Sequence, residues 1–414
     1  MKDRGFHYGW VILSVGIMVV AGSLGFGRFG YSMILPSMQA GLDLPHGQTG
    51  IIASANMFGY VLAALGAGVL ASRYGPRFVI MIALFWTGIT MAATGLAGGL
   101  ASLVGLRLLT GMGSAGANIS IMGLAPSWFS EKRRGMACGF LVGGSGLAMT
   151  VTGWLVPLLN GLYLQHGWRV AWVLLGFITI VIGLLSGLFI RNNPGEKGLE
   201  PFGGQEVSSP GKNREPVAKM NLKDILSFKG VPILAAIYFC FGFSYIIYAT
   251  FFVNYLILER GYTQVTAGGI WSLVGFLSIG SAIIWGILSD IIGRRPSLVI
   301  IFMLQVLSYL TPVLTEDFIF IKISAVIYGL TAWSIPGIVA SYCGDLVGPK
   351  NAPTTLGLVT FFFGIGSVLA PTFASYIKEV TFSFSGAFYL ASLLAFTGAL
   401  LSLKGSMNWL RLRL

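Results

Sequence analysis

Charge is scarce in this chain. Only 10% of its 414 residues are Asp, Glu, Lys or Arg, against roughly 25% in soluble globular proteins. Acids are the scarcer sign, 14 against 26 basic residues. Cysteine is scarcer still: Cys138, Cys240 and Cys343 are too few and too scattered for a disulfide framework or a metal-ligating set, and they read as core packing. The three histidines, His7, His46 and His166, sit outside or at the ends of the apolar stretches. No nucleophile–base pair and no metal-ligand cluster stands in any apolar stretch, so neither an enzyme nor a resident cofactor or metal is expected. A cleavable signal is not expected either. The first apolar run is too long, and no small-residue cleavage site follows it.

What fills the space is hydrocarbon. The chain is 55% hydrophobic with a mean hydropathy of +0.81, and stretches of roughly 20 apolar residues, enough to cross a ~30 Å hydrocarbon core, recur throughout. Twelve helical spans are expected near 9–37, 48–71, 78–98, 101–128, 136–160, 170–190, 231–257, 265–288, 297–314, 323–344, 354–377 and 384–403. The net charge of +12 would suggest nucleic acid in a soluble protein; here its placement speaks for topology. With the N-terminus inside, twenty of the 26 basic residues fall on the cytoplasmic side, and four fall outside (Arg169, Arg260, Lys322 and Lys378). Two, Arg28 and Arg107, lie within spans. This asymmetry puts both termini in the cytoplasm and argues against nucleic acid as a partner; the inner membrane of a bacterium is the expected location.

The one long polar stretch, 191–229, is rich in Pro, Gly and charge and divides six spans from six. The expected organisation is an N-terminal bundle 1–190, a cytoplasmic linker 191–229 and a C-terminal bundle 230–414. Within the linker, Asn221–Leu226 can form a short amphipathic helix; a partly ordered connector is the plainer reading. The halves repeat at an offset of 218 residues. Gly68–Arg77 (GVLASRYGPR) matches Gly286–Arg295 (GILSDIIGRR), while Gly111, Gly139 and Gly146 fall on Gly329, Gly357 and Gly364. Two parallel six-helix halves mark one transporter architecture. At this offset Arg28 falls on Ile246 and Arg107 on Ala325, so the buried cations belong to the first half alone.

These motifs resemble the Major Facilitator Superfamily. Gly68–Arg77 is similar to its signature loop between spans 2 and 3, with Ser72 where an Asp is usual; the second copy keeps the acid as Asp290. The resemblance implies a conformational latch made by Arg73, Arg77, Asp290, Arg294 and Arg295, in which an acid caps a helix end and pairs with a base. Ser72 weakens that expectation in the first half. Leu106–Gly113 (LRLLTGMG) resembles the span-4 signature with its buried Arg107. Within the superfamily, Tyr8-Gly9-Trp10 and Lys132–Gly139, running on to Gly143–Gly146, resemble the monocarboxylate and oxalate/formate-type carriers. The charged pair that animal monocarboxylate carriers place in span 8 is replaced here by Ser278 and Ala282. By the same comparison, their span-1 basic residue falls close to Arg28.

Arg28 stands in Gly25–Tyr31 (GFGRFGY), about 18 residues or roughly 27 Å of helix rise from Trp10. A guanidinium stays charged at physiological pH and costs a few kcal/mol or more at mid-bilayer. No acid in its span neutralises it, and all fourteen acids of the chain lie in loops or at span ends. One reading is a carboxylate held by the planar Arg28 fork; the other is that Arg28 only bonds backbone carbonyls at a Gly-rich kink. Arg107 lies at broadly similar depth, and a structural or gating role comes first for it, substrate contact second. By resemblance, spans 1 and 4 line a central cavity.

Further candidates for substrate contact are polar or aromatic. Asn56, Asn118 and Ser145 come from the first half. Tyr245 and Tyr248 lie in the aromatic span 7, where a hydroxyl needs a partner in hydrocarbon. Trp271, Ser278, Tyr328 and Trp333 could form an apolar wall. The glycine run Gly143–Gly146 reads as close helix packing and not as a phosphate cradle, which needs a strand–loop–helix setting.

Together these features predict an all-α membrane protein working as a monomer. It would be a secondary transporter of a small organic anion, a monocarboxylate first, by alternating access. An exporter of hydrophobic or amphiphilic compounds is the alternative. With no intramembrane carboxylate or His to carry a proton, the coupling ion is left open between a proton that follows the substrate and a counter-anion.

Overall fold

The computed structural model describes residues 7–204, 227–228, 230–348 and 351–404, and it is almost wholly helical. In the first half the elements are α1 (Gly9–Val20), a π-helical stretch (Ala21–Phe29), α2 (Gly30–Gly41), α3 (His46–Tyr74), α4 (Pro76–Thr94), α5 (Leu100–Trp128), α6 (Glu131–Tyr163) and α7 (Gly167–Phe189). In the second they are α8 (Val231–Leu258), α9 (Gln264–Ile292), α10 (Arg294–Leu314), α11 (Phe318–Thr331), α12 (Ser334–Val347), α13 (Ala352–Thr381) and α14 (Ser385–Lys404). Among the described residues ten stretches are long and apolar enough to cross a bilayer, or eleven with the bent helix α3. One of the ten, Arg133–Phe189, contains both α6 and α7, so the set is consistent with twelve crossings.

Most helices begin and end within a turn of the hydropathy edges. The larger differences have physical causes. α6 starts at residue 131 where apolarity suggested 136, because hydropathy marks entry into hydrocarbon while helix geometry runs on through the charged Glu131–Gly135. The expected span 323–344 is two helices, α11 and α12, interrupted at 332–333. Pro336 in the first turn of α12 has no N–H to give the carbonyl four residues back. The repeat is visible in the backbone: Gly75 (φ +85°) precedes α4 and Gly293 (φ +96°) precedes α10. That conformation is strained for any residue with a Cβ.

The chain divides into two compact units. The first comprises the described residues of 1–44, 55–208 and 264–279; the second comprises those of 45–54, 209–263 and 280–414. Each unit thus includes one helix end from the other half of the sequence. In the first unit glycine brings helix backbones together: a Cβ at Gly111 of α5 would fall on the Asn56 carbonyl of α3. The run Gly143–Gly146 lies inside α6, where Gly144 meets the Ile17 carbonyl and Gly146 meets Ser278. It is a helix-packing surface. In the second unit α8 is buried along nearly its whole length. Just past the end of α8, the partly buried Glu259 pairs with the buried Lys378 of α13 at 2.8 Å.

The polar connector is partly built into the first unit. Phe202 N–H donates to the Trp128 carbonyl (2.9 Å), and Ser130 N–H donates to the Phe202 carbonyl (3.1 Å), an isolated β-bridge that sets the Phe202 ring against Trp10. The expected short helix Asn221–Leu226 lies outside the described residues.

Candidate functional site

The rod that carries Arg28 is not α-helical at that point. Over Ala21–Phe29 the backbone is a nine-residue π-helix, a form that is rare and concentrated at functional sites. Gly22, Gly25 and Gly27 make it sterically open, and neighbouring helices close in on it: a Cβ at Gly25 would fall on that of Ala148 in α6. Each widened turn carries an extra residue, so the side chains leave the stripe that an α-helix would give them.

Arg28 is half-buried. Its Nε is buried without a hydrogen-bond partner. Its Cζ lies 4.5 Å from the ring centroid of Tyr60 in α3, an attraction worth up to about 2 kcal/mol when desolvated. Among the described residues nothing else holds it by hydrogen bond or ion pair, so the reading in which Arg28 only bonds kink carbonyls finds no such bond. The Tyr60 ring is fixed in turn, because Asn118 Nδ2 of α5 donates to its hydroxyl at 2.9 Å. Tyr60 escaped sequence reasoning. Its signal was its place four residues after Asn56, on the same face of α3.

Arg107 is different. It is only 1% exposed, and its NH1 donates to the Gly27 carbonyl at 2.7 Å. The guanidinium lies 4.9 Å from the Trp172 ring and 5.3 Å from the Tyr31 ring. No carboxylate neutralises it among the described residues. Arg107 therefore grips the backbone of the π-helix at the residue preceding Arg28. Asn56 serves the same framework: its Nδ2 donates to the Arg107 carbonyl at 3.1 Å. Beside them Ser114 Oγ donates to the Ser23 carbonyl at 2.8 Å, a second tie between α5 and the π-helix.

The first unit thus brings Arg28, Tyr60, Asn118, Arg107 and Asn56 together. Ser145 is buried in α6 with no bond to this group. Ser278 Oγ donates to the Gly275 carbonyl (2.8 Å) and fills the space left by Gly146. Trp271 is fully buried. In the second unit Tyr245, Tyr248, Tyr328 and Trp333 form one aromatic cluster. The Tyr248 ring stacks on Tyr328 at 4.3 Å and on Phe252 at 4.2 Å, while Tyr245 meets Trp333 edge-on at 6.3 Å. Two hydroxyls are engaged inside the cluster: Tyr248 with Ser324 Oγ at 2.8 Å, and Tyr328 donating to the Tyr245 carbonyl at 3.1 Å.

The two copies of the signature loop differ as their sequences do. In the second copy Asp290 pairs with Arg294 at 2.5 Å, Arg294 reaches Asp345 at 3.4 Å, and Arg295 Nε donates to the Tyr342 hydroxyl. In the first copy Arg77 donates from Nε (2.8 Å) and NH2 (2.5 Å) to the Gly187 carbonyl. Arg73 is exposed, and its guanidinium lies 5.4 Å from the Tyr74 ring.

Comparison with known proteins follows the same lines. The profile of the Major Facilitator Superfamily matches residues 17–371 and 280–406. A hexuronate transporter of Bacillus subtilis is 25% identical over 386 residues, covering 89% of this chain and 88% of its own length. Human monocarboxylate transporter 11 is 25% identical over 412 residues, covering 95% and 82%. Among solved structures, an inward-facing, unoccupied bacterial homologue of the human lysosomal transporter Spinster superposes with a TM-score of 0.73. It shares 16% identity and covers 97% of this chain and 99% of that one; this likeness concerns the fold.

Proposed function

We propose, from the premise that this chain belongs to the Major Facilitator Superfamily and is therefore a membrane transport protein, that it carries a small organic anion with one carboxylate, and that Arg28 binds that carboxylate. One observation carries the reading: the Arg28 guanidinium sits in a membrane-embedded π-helix, its Nε buried and without a partner. Tyr60 supports the cation from below but cannot neutralise it. A carboxylate can, through two parallel N–H···O bonds. The named cargoes of the two relatives above, hexuronate and monocarboxylate, share that group.

The chemistry then divides among the residues. Arg28 takes the carboxylate; Asn118 holds Tyr60 beneath it; Arg107 fixes the π-helix through the Gly27 carbonyl and thereby the position of Arg28. An empty site leaves a cation in a dehydrated place, which opposes occlusion. Bound anion cancels the charge and lowers the barrier to exposing the site on the other side. The moving bodies are the sequence halves 1–190 and 230–414, linked by 191–229, in a bacterial cytoplasmic membrane with both termini inside. The protein acts as a monomer, and a proton or a counter-anion completes the cycle. The aromatic residues that suggested a hydrophobic cargo are engaged with one another, Tyr248 and Tyr328 above all.

Uptake of radiolabelled monocarboxylates into proteoliposomes tests this reading. Arg28→Ala is expected to reduce uptake to the empty-liposome level while the purified variant still unfolds cooperatively on heating. Wild-type uptake by the folded variant would refute it.

A further inference from the structure

The signature loop of the first half keeps its bases and lacks its acid. In the second copy the acid is at work, with Asp290 on Arg294. In the first copy Ser72 Oγ donates to the Val69 carbonyl (2.9 Å) and has no charge to offer. Among the described residues no hydrogen bond or ion pair reaches Arg73, whose guanidinium lies against the Tyr74 ring at the last turn of α3. A free cation there, on the side that the charge distribution assigns to the cytoplasm, faces anionic headgroups.

Beside it runs a crevice of about 400 Å³ between α3, α4 and α5. Small residues open it: Ala67 on α3, Gly113 and Gly116 on α5. Its rim is Tyr74, Phe78 and Trp86, all about half exposed on the hydrocarbon-facing surface. The indole N–H of Trp86 donates to the Leu109 carbonyl at 2.9 Å, so apart from the Tyr74 hydroxyl, next to Arg73, the rim offers carbon to a ligand. From Ala63 to Tyr74 the crevice follows α3 for about 16 Å of rise and ends at Tyr74, whose ring lies 5.4 Å from the Arg73 guanidinium.

An apolar slot that opens to the membrane and ends at an unpaired cation has the chemistry of a phospholipid. We propose that this crevice binds an anionic phospholipid. One acyl chain lies between α3, α4 and α5, and the headgroup phosphate pairs with Arg73. The lipid supplies to the first loop the negative charge that Asp290 supplies to the second. The first half of the latch thereby depends on the composition of the membrane.

The test is thermal unfolding of the purified, delipidated protein in detergent, titrated with phosphatidylglycerol or phosphatidylcholine of identical acyl chains. Phosphatidylglycerol is expected to raise Tm more than phosphatidylcholine. Arg73→Gln, an exposed substitution that leaves the fold intact, should reduce the two responses to the same size. Ala63→Leu, which fills the crevice, should remove both. Equal responses in the wild type would overturn the proposal, as would an unchanged preference in Arg73→Gln. A full response from Ala63→Leu would remove the acyl chain from the crevice, and a full shift from inorganic phosphate alone would show an anion site that needs no lipid.

Discussion

A cation inside a membrane protein needs an accounting, and the two here have different ones. Arg107 is enclosed by the Trp172 and Tyr31 rings and bonded to the Gly27 carbonyl; its charge is absorbed by fixed dipoles and π-faces. Arg28 has one π-face, Tyr60, and nothing anionic among the described residues. Under the proposed function the distinction gives them separate tasks, Arg107 holding the scaffold and Arg28 meeting the cargo. Tyr60 is the residue through which this can be measured. Tyr60→Phe keeps the ring under Arg28 but strands the Asn118 amide, which now donates to the hydroxyl at 2.9 Å. The loss of one such bond, about 1 kcal/mol, corresponds to roughly a fivefold weaker anchor. KM for uptake is expected to rise by about that factor with kcat little changed. An unaltered KM would remove the Tyr60 hydroxyl from the site and leave only the ring to act there.

Among the elements, the π-helix decides where Arg28 stands. Its tolerance for that backbone rests on glycine where α6 approaches, and Gly25 is the tightest place, opposite Ala148. Gly25→Leu forces the two helices apart. Destabilisation of about 1–3 kcal/mol is expected, with uptake lost in the fraction that stays folded, measured by thermal unfolding beside transport; a variant as stable and active as wild type would disprove the close approach. This element also marks the limit of what the sequence reveals. Spans were legible because twenty apolar residues have few other fates in a chain so poor in charge, and Arg28 because a lone cation in such a run is conspicuous. The π register was not, since it follows from contacts with Ala148 and Arg107 that lie far away in the chain. Tyr60 was hidden for a related reason: an aromatic on a helix face reads as packing until a cation is found above it. The docking of Phe202 was concealed by its Pro- and Gly-rich surroundings, which read as a connector.

For the molecule as a whole, the division into units makes a mechanical statement. Pro45 and the start of α3, up to Ser54, group with the second unit. There Ser54 Oγ donates to the Val368 carbonyl (2.6 Å) and meets Thr372 Oγ1 (2.8 Å). Glu379 accepts from the Gly47 N–H (2.8 Å), a carboxylate at the positive end of a helix. A Cβ at Gly50 would fall on the Pro371 carbonyl. These contacts join points more than 300 residues apart, at the helix ends that the charge distribution puts outside. If alternating access operates, this seam has to open in every cycle, whereas a purely structural seam would stay shut. Ser54→Cys with Thr372→Cys places two thiols at the hydroxyl pair. Oxidation is expected to cross-link them and stop uptake, and a reductant is expected to restore it. Transport that continues at full rate through a completed cross-link, verified by mass spectrometry of the linked peptides, would mean that the seam is no gate.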